Sequence, residues 1–114
     1  MPFQPGIRAK IELELDRGMR ARGQGLEGQA RVCARRAAGA AARAYLEGKG
    51  RVSSVVTAFD ALQLLALEPG LSDRAAQALG ALLERVNESY ELPGGADLLE
   101  EARILAEALE LAED

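Results

Sequence analysis

Residues 37–42 read Ala-Ala-Gly-Ala-Ala-Ala, six small side chains in the middle of a proline-free stretch of about residues 27–48. Alanine is the strongest helix former, so this stretch is expected to be helical, and a helix this thin lets the axis of a neighbour come unusually close. Glycine in a helix interior costs about 1 kcal/mol relative to alanine, which is tolerable for Gly39 if it sits at such a crossing. The run therefore predicts a central helix with others packed around it. Elsewhere alanine and leucine again dominate and aromatics reach only 4% of the chain, so helix is favoured wherever glycine and proline do not intervene.

Five segments follow from that punctuation. About residues 6–22 place Ile7, Ile11, Leu15 and Met19 at i, i+4 steps and stop at Gly23-Gln24-Gly25. The second is the stretch 27–48. After the polar link Gly48–Ser54, Ser53 or Ser54 is placed to cap a third helix to about Leu67, with Val55, Phe59, Leu62, Leu65 and Ala66 on one stripe and Pro69-Gly70 as its stop. Ser72 caps a fourth helix predicted to run to about Tyr90 on the stripe Ala75, Leu79, Leu82, Leu83, Val86 and Tyr90. Leu92-Pro93-Gly94-Gly95 forces a turn, and a fifth helix carries Leu98, Leu99, Ala102, Leu105, Ala106 and Leu109, with Asp97, Glu100 and Glu101 complementing the dipole of its first turn. The expected fold is all-α, an up-and-down bundle of about five helices forming a single domain over residues 1–114. A core so short of aromatics is thin, which leads us to expect a homodimer through an alanine-lined face containing Ala34, Ala38 and Ala41.

Charge is distributed unevenly. Residues 1–51 hold 11 Lys/Arg against 5 Asp/Glu and residues 52–114 hold 3 against 13, so the halves carry +6 and −10 within a net −4. Either the first half forms a basic surface for nucleic acid, or helices from the two halves neutralise each other across their rims. Interspersed Glu12, Glu14, Asp16 and Glu27 favour the second reading, and a pI of about 4.9 makes DNA an unexpected partner. No apolar stretch approaches the ~18 residues of a membrane span, and Met1–Gly6 has no secretory-signal pattern, so a cytoplasmic location is expected.

Histidine is absent, which removes the commonest general base and the commonest transition-metal ligand. Cys33 shares the side of Ala30, Ala34 and Ala37 and is expected to be a buried structural thiol. Glu84 and Glu88 lie one turn apart without the Glu-x-x-His pairs of helical di-iron centres and read as an exposed acidic face, so neither metal nor cofactor is expected. Arg31, Arg35 and Arg43, with Arg36 alongside, fall near one line of the second helix. Such a row either tracks a phosphate backbone or forms a solvated face paired with acidic helices. Arg85 stands in the acidic half between Glu84 and Glu88, held by a carboxylate or poised for a specific anion.

The stretch Gly28–Leu46, reading GQARVCARRAAGAAARAYL, resembles the second helix of HEPN-type domains, small α-helical bundles widespread in prokaryotes. The order of a polar loop, a short helix at Phe59-Asp60-Ala61-Leu62 and a longer helix is similar to theirs, and Arg85-Val-Asn-Glu-Ser-Tyr90 resembles their motif of an arginine and a histidine with four to six residues between them. The resemblance spans about residues 7–112. It implies a dimer, and in active members metal-independent RNA cleavage in which the histidine moves the proton and the arginine holds the phosphate. Carried over, Arg85 is the phosphate-binding residue and Tyr90 takes the histidine place, where an ordinary pKa near 10 makes a poor base. The implied function is a non-catalytic HEPN-like module that dimerises and binds a partner protein, such as a nucleotidyltransferase, or an anionic ligand, nucleotide or RNA at Arg85, Tyr90, Arg31 and Arg35. The alternatives are a helical scaffold or adaptor, or a weak metal-independent ribonuclease using Arg85 and Tyr90.

Overall fold

The computed structural model describes residues 3–51, 57–84 and 96–111. Five helices lie within them: α1 (Pro5–Gly23), α2 (Glu27–Gly48), α3 (Ala58–Leu65), α4 (Asp73–Leu83) and α5 (Leu98–Leu111). There is no strand among the described residues, and the protein is the expected all-α bundle.

Local chemistry sets most helix ends. Pro5 occupies the first position of α1, where its missing N–H is no loss. Thr57 Oγ1 accepts from Asp60 N at 3.1 Å and Ser72 Oγ accepts from Ala75 N at 3.1 Å, each satisfying one orphan donor in a first turn. Asp97 does the same for Glu100 N at 3.3 Å. The cap of α3 is thus Thr57 rather than Ser53 or Ser54, which lie outside the described residues together with Val55.

Partners on neighbouring helices run in opposite order, which fixes the bundle's directions. Between α1 and α2, Arg22 pairs with Glu27, Gly18 faces Cys33 and Ala30, and Lys10 and Glu14 share a cleft with Arg36, Ala40 and Arg43. Between α1 and α5, Arg22 meets Asp97, Gly18 meets Leu99 and Arg8 meets Glu110. Both pairs are therefore antiparallel.

Helix α2 is the hub. It packs against α1, α3 and α5, and ten of its residues, from Ala30 to Leu46, are buried. Gly39 lies where α3 begins: a Cβ there would overlap Ala58 Cβ and lie 2.6 Å from Ala58 Cα. Cys33 is buried, as its position among the alanines implies. Leucines 46, 62, 65, 82, 98, 105 and 109 supply the bulk of the core that the alanines cannot.

Three expectations need correcting. Ala34, Ala38 and Ala41 are not an outward face; all three are fully buried inside the chain, where they accommodate the neighbouring helices, so a second copy would have to dock elsewhere. On α1 Ile11 is buried and Ile7 and Leu15 pack partly buried against the core as expected, but Met19 is exposed and the fully buried positions are Ile11, Glu14, Gly18 and Ala21, with Gly18 rather than a large side chain facing α2 and α5. Helix α4 ends at Leu83 instead of near Tyr90: Glu84 leaves in an extended conformation (φ −69°, ψ 135°). Arg35 of α2 supplies donors at that end, Nε to Leu82 O at 3.0 Å and Nη2 to Glu84 O at 2.5 Å. Val86, Glu88 and Tyr90 lie outside the described residues.

Ion pairs join the two oppositely charged halves, as the rim-neutralisation reading expects. Arg8 binds Glu110, Arg22 binds Asp97 at 3.0 Å, and Arg51 binds Glu68 at 3.2 Å. Arg22 also binds Glu27 at 3.0 Å, so one guanidinium ties the end of α1 to the starts of α2 and α5. Its hydrogen bonds hold the carboxyls of Glu27 and Asp97 below the ordinary carboxylate range, and Arg8 does the same for Glu110. Carboxyls depressed by folding contribute stability that is full above their unfolded pKa of about 4 and is lost as pH falls through the lower folded values. The midpoint of urea unfolding is thus expected to drop on acidification from pH 5 towards pH 2, and to drop less in Arg22→Ala. An equal pH dependence in the two proteins would count against Arg22 as the source.

A candidate anion-binding cleft

Three elements meet where the middle of α1 crosses the second half of α2 beside the first residue of α3. The cleft there, of about 280 Å³, is lined by Lys10, Glu14, Arg36, Ala40, Arg43 and Ala58. Its geometry follows from the sequence. Lys10 and Glu14 are four apart on α1, and Arg36, Ala40 and Arg43 are four and three apart on α2, so each set shares one helix face. Ala40 and Ala58 are short enough to leave space between the longer side chains.

Three cations and one carboxylate line this space. Lys10 and Arg36 are exposed, and Arg43 is half-buried. Glu14 is the one buried charged residue described, at 5% exposure, and its Oε1 accepts from Arg17 Nη1 at 3.0 Å. The carboxylate is thus answered by an arginine outside the lining, and Lys10, Arg36 and Arg43 stand around the same space.

A larger cleft, of about 490 Å³, lies between the end of α2, the start of α4 and the end of α5, lined by Tyr45, Leu71, Ser72, Arg74, Glu107 and Leu109 among others. Its polar groups are largely committed within the chain. Ser72 Oγ caps α4, Glu107 accepts from Arg103 at 2.5 Å, and the Lys49 ammonium lies 5.1 Å from the Tyr45 ring centre. Among the described residues of its lining Arg74 is the single cation, against three in the smaller cleft.

The residues singled out from sequence are scattered by the fold. Arg35 faces the end of α4 and donates to the two carbonyls there. Arg31 lies one turn beyond Glu27, whose carboxyl its charge helps to depress. Arg43 and Arg36 turn instead towards α1. The arginine row is therefore divided around α2 rather than forming one track. Arg85 and Tyr90 lie outside the described residues. Lys10 and Glu14 were not among the candidates; the available signal was Glu14 itself, a carboxylate three residues after Ile11 and four before Gly18, on the buried stripe of α1.

No group of three His, Cys, Asp or Glu suited to a metal ion occurs among the described residues, and no described helix is long and apolar enough to cross a membrane. Comparison of the chain with protein-family models, with curated proteins and with solved structures finds no match.

Proposed function

We propose that this protein is a helical binding module for a phosphate-bearing anion, held in the cleft between α1, α2 and the start of α3. The observation that carries the reading is the convergence of Lys10, Arg36 and Arg43 from two helices on one small cavity whose carboxylate already has Arg17 as a partner. Charge-assisted hydrogen bonds from lysine and arginine to phosphate are among the strongest available to a protein surface, and guanidinium geometry suits two oxygens at once. The resemblance to HEPN-type domains supports the same ligand class, although it points to Arg85 as the phosphate-binding residue.

Adenosine monophosphate is a suitable probe in a calorimetric titration. Binding is expected to weaken as salt rises, and the double variant Lys10→Ala/Arg36→Ala to weaken it about tenfold or more, from the loss of two charge-assisted contacts on a partly exposed site. Arg31→Ala, outside the cleft, should change affinity less than about twofold. No binding at millimolar nucleotide, or a double variant that binds like the parent, overturns the reading.

A further inference from the structure

A cleft built only to attract phosphate has no need of a carboxylate in its wall, and a buried carboxylate is costly unless it is well compensated. Glu14 is nevertheless buried in the lining. Arg17 answers Oε1, while Oε2 has no hydrogen-bond partner among the described residues. Glu14, part of the cleft lining, therefore keeps one carboxylate oxygen as an acceptor, four residues along α1 from Lys10, whose ammonium can only donate.

We infer that the ligand is a phosphate ester bearing a hydroxyl near its phosphate, as in a ribose phosphate unit, and that Glu14 accepts a hydrogen bond from this hydroxyl while Lys10 and Arg36 hold the phosphate. The inference rests on the anion-binding reading above and adds a selectivity to it. A bare anion gains nothing from Glu14 and is repelled by it. A hydroxyl-bearing ester turns the same carboxylate into an attractive contact, because an ionised acceptor bonded to a neutral donor is stronger than a neutral pair. A cavity of about 280 Å³ lies just below the roughly 300–1,000 Å³ usual for drug-sized ligands, which suits one sugar phosphate better than a large cofactor. Free nucleotides and the RNA chain share this chemistry.

The test compares glycerol phosphate with propyl phosphate, which differ in hydroxyls and share the phosphate, against the parent protein and Glu14→Gln in calorimetric titrations. The parent is expected to bind glycerol phosphate about tenfold more tightly, the gain of one hydrogen bond to a charged group. Glu14→Gln should bring the two affinities within about threefold, chiefly by weakening glycerol phosphate, with helicity and urea midpoint confirming the fold. Should that variant not fold, the comparison in the parent alone decides. Equal binding of the two esters by the parent overturns the role of Glu14 and leaves the anion site standing; failure of both esters and of adenosine monophosphate overturns both. A short RNA that competes with the mononucleotide identifies the polymer as a source of the ribose phosphate, and an RNA that does not compete assigns the site to free ribose phosphates.

Discussion

Gly39→Ala is expected to lower the free energy of unfolding by about 2 kcal/mol, while Gly80→Ala raises it by roughly 0.5–1 kcal/mol. Both substitutions remove a helix-interior glycine, and intrinsic propensity alone favours alanine at each by about 1 kcal/mol. Surroundings decide the sign. A Cβ at Gly80 meets nothing within 4 Å, so the propensity gain is realised. At Gly39 the new carbon would overlap Ala58 Cβ and sit 2.6 Å from Ala58 Cα and 3.0 Å from Ala58 O. Those are backbone atoms and a stub with no rotamer to give, so the start of α3 must move away from α2, and overpacking of this kind typically costs about 1–3 kcal/mol. Urea or thermal unfolding of the two variants beside the parent is sufficient, since about 2 kcal/mol corresponds to a fall of roughly 8–16 °C in a chain of this size. If both variants gain stability, α3 does not approach α2 as closely as the structure places it. The start of α3 also supplies Ala58 to the proposed anion-binding cleft, so Gly39→Ala should weaken nucleotide binding as well, whereas Gly80→Ala should leave it unchanged.

The glycine comparison also shows where the sequence was legible. The small-residue run of α2 announced a close crossing with Gly39 in it, and the bounds of α2 are those expected, because a proline-free, alanine-rich stretch between two glycine turns leaves few alternatives. The antiparallel order and the charged rims follow from short links and complementary halves. What the pattern could not reveal was which partner each face meets. Ala34, Ala38 and Ala41 have the same sequence signature whether they pack inside the chain or against another copy, since a small-residue face reports a close approach and not its occupant. Of the α1 stripe, Ile7, Ile11 and Leu15 pack in or against the core and only Met19 does not, because the helices touch at Gly18, which carries no apolar side chain for periodicity to register. Glu14 carries no mark of its own in the sequence beyond its spacing from Ile11 and Gly18: among alternating charges a single carboxylate looks solvated until the fold puts it at 5% exposure. The end of α4 had no local mark at all. Leu83-Glu84 contains no glycine or proline, and the donors that accompany the break come from a residue 47 positions away, Arg35.

That distant contact leads to the second large expected effect. Arg35→Ala should destabilise the protein by about 2–3 kcal/mol, against a change within about 1 kcal/mol for Arg31→Ala on the same helix. The Arg35 guanidinium makes two charge-assisted hydrogen bonds to main-chain oxygens, to Leu82 at 3.0 Å and to Glu84 at 2.5 Å, and both lie at the end of a helix whose last carbonyls lack intrahelical donors. Removing it takes away those donors and the positive charge that complements the helix C-terminus. Lysine restores the charge but not the fork that spans two oxygens, so Arg35→Lys should recover less than half of the loss. Chemical denaturation of the three variants measures this directly. Nucleotide affinity separates it from a ligand-binding role: under strongly native conditions Arg35→Ala should bind adenosine monophosphate within about twofold of the parent, because Arg35 does not line the cleft. An Arg35→Ala protein as stable as the parent but tenfold weaker for the nucleotide would reverse the assignment, returning Arg35 to the phosphate-binding row in which its spacing first placed it.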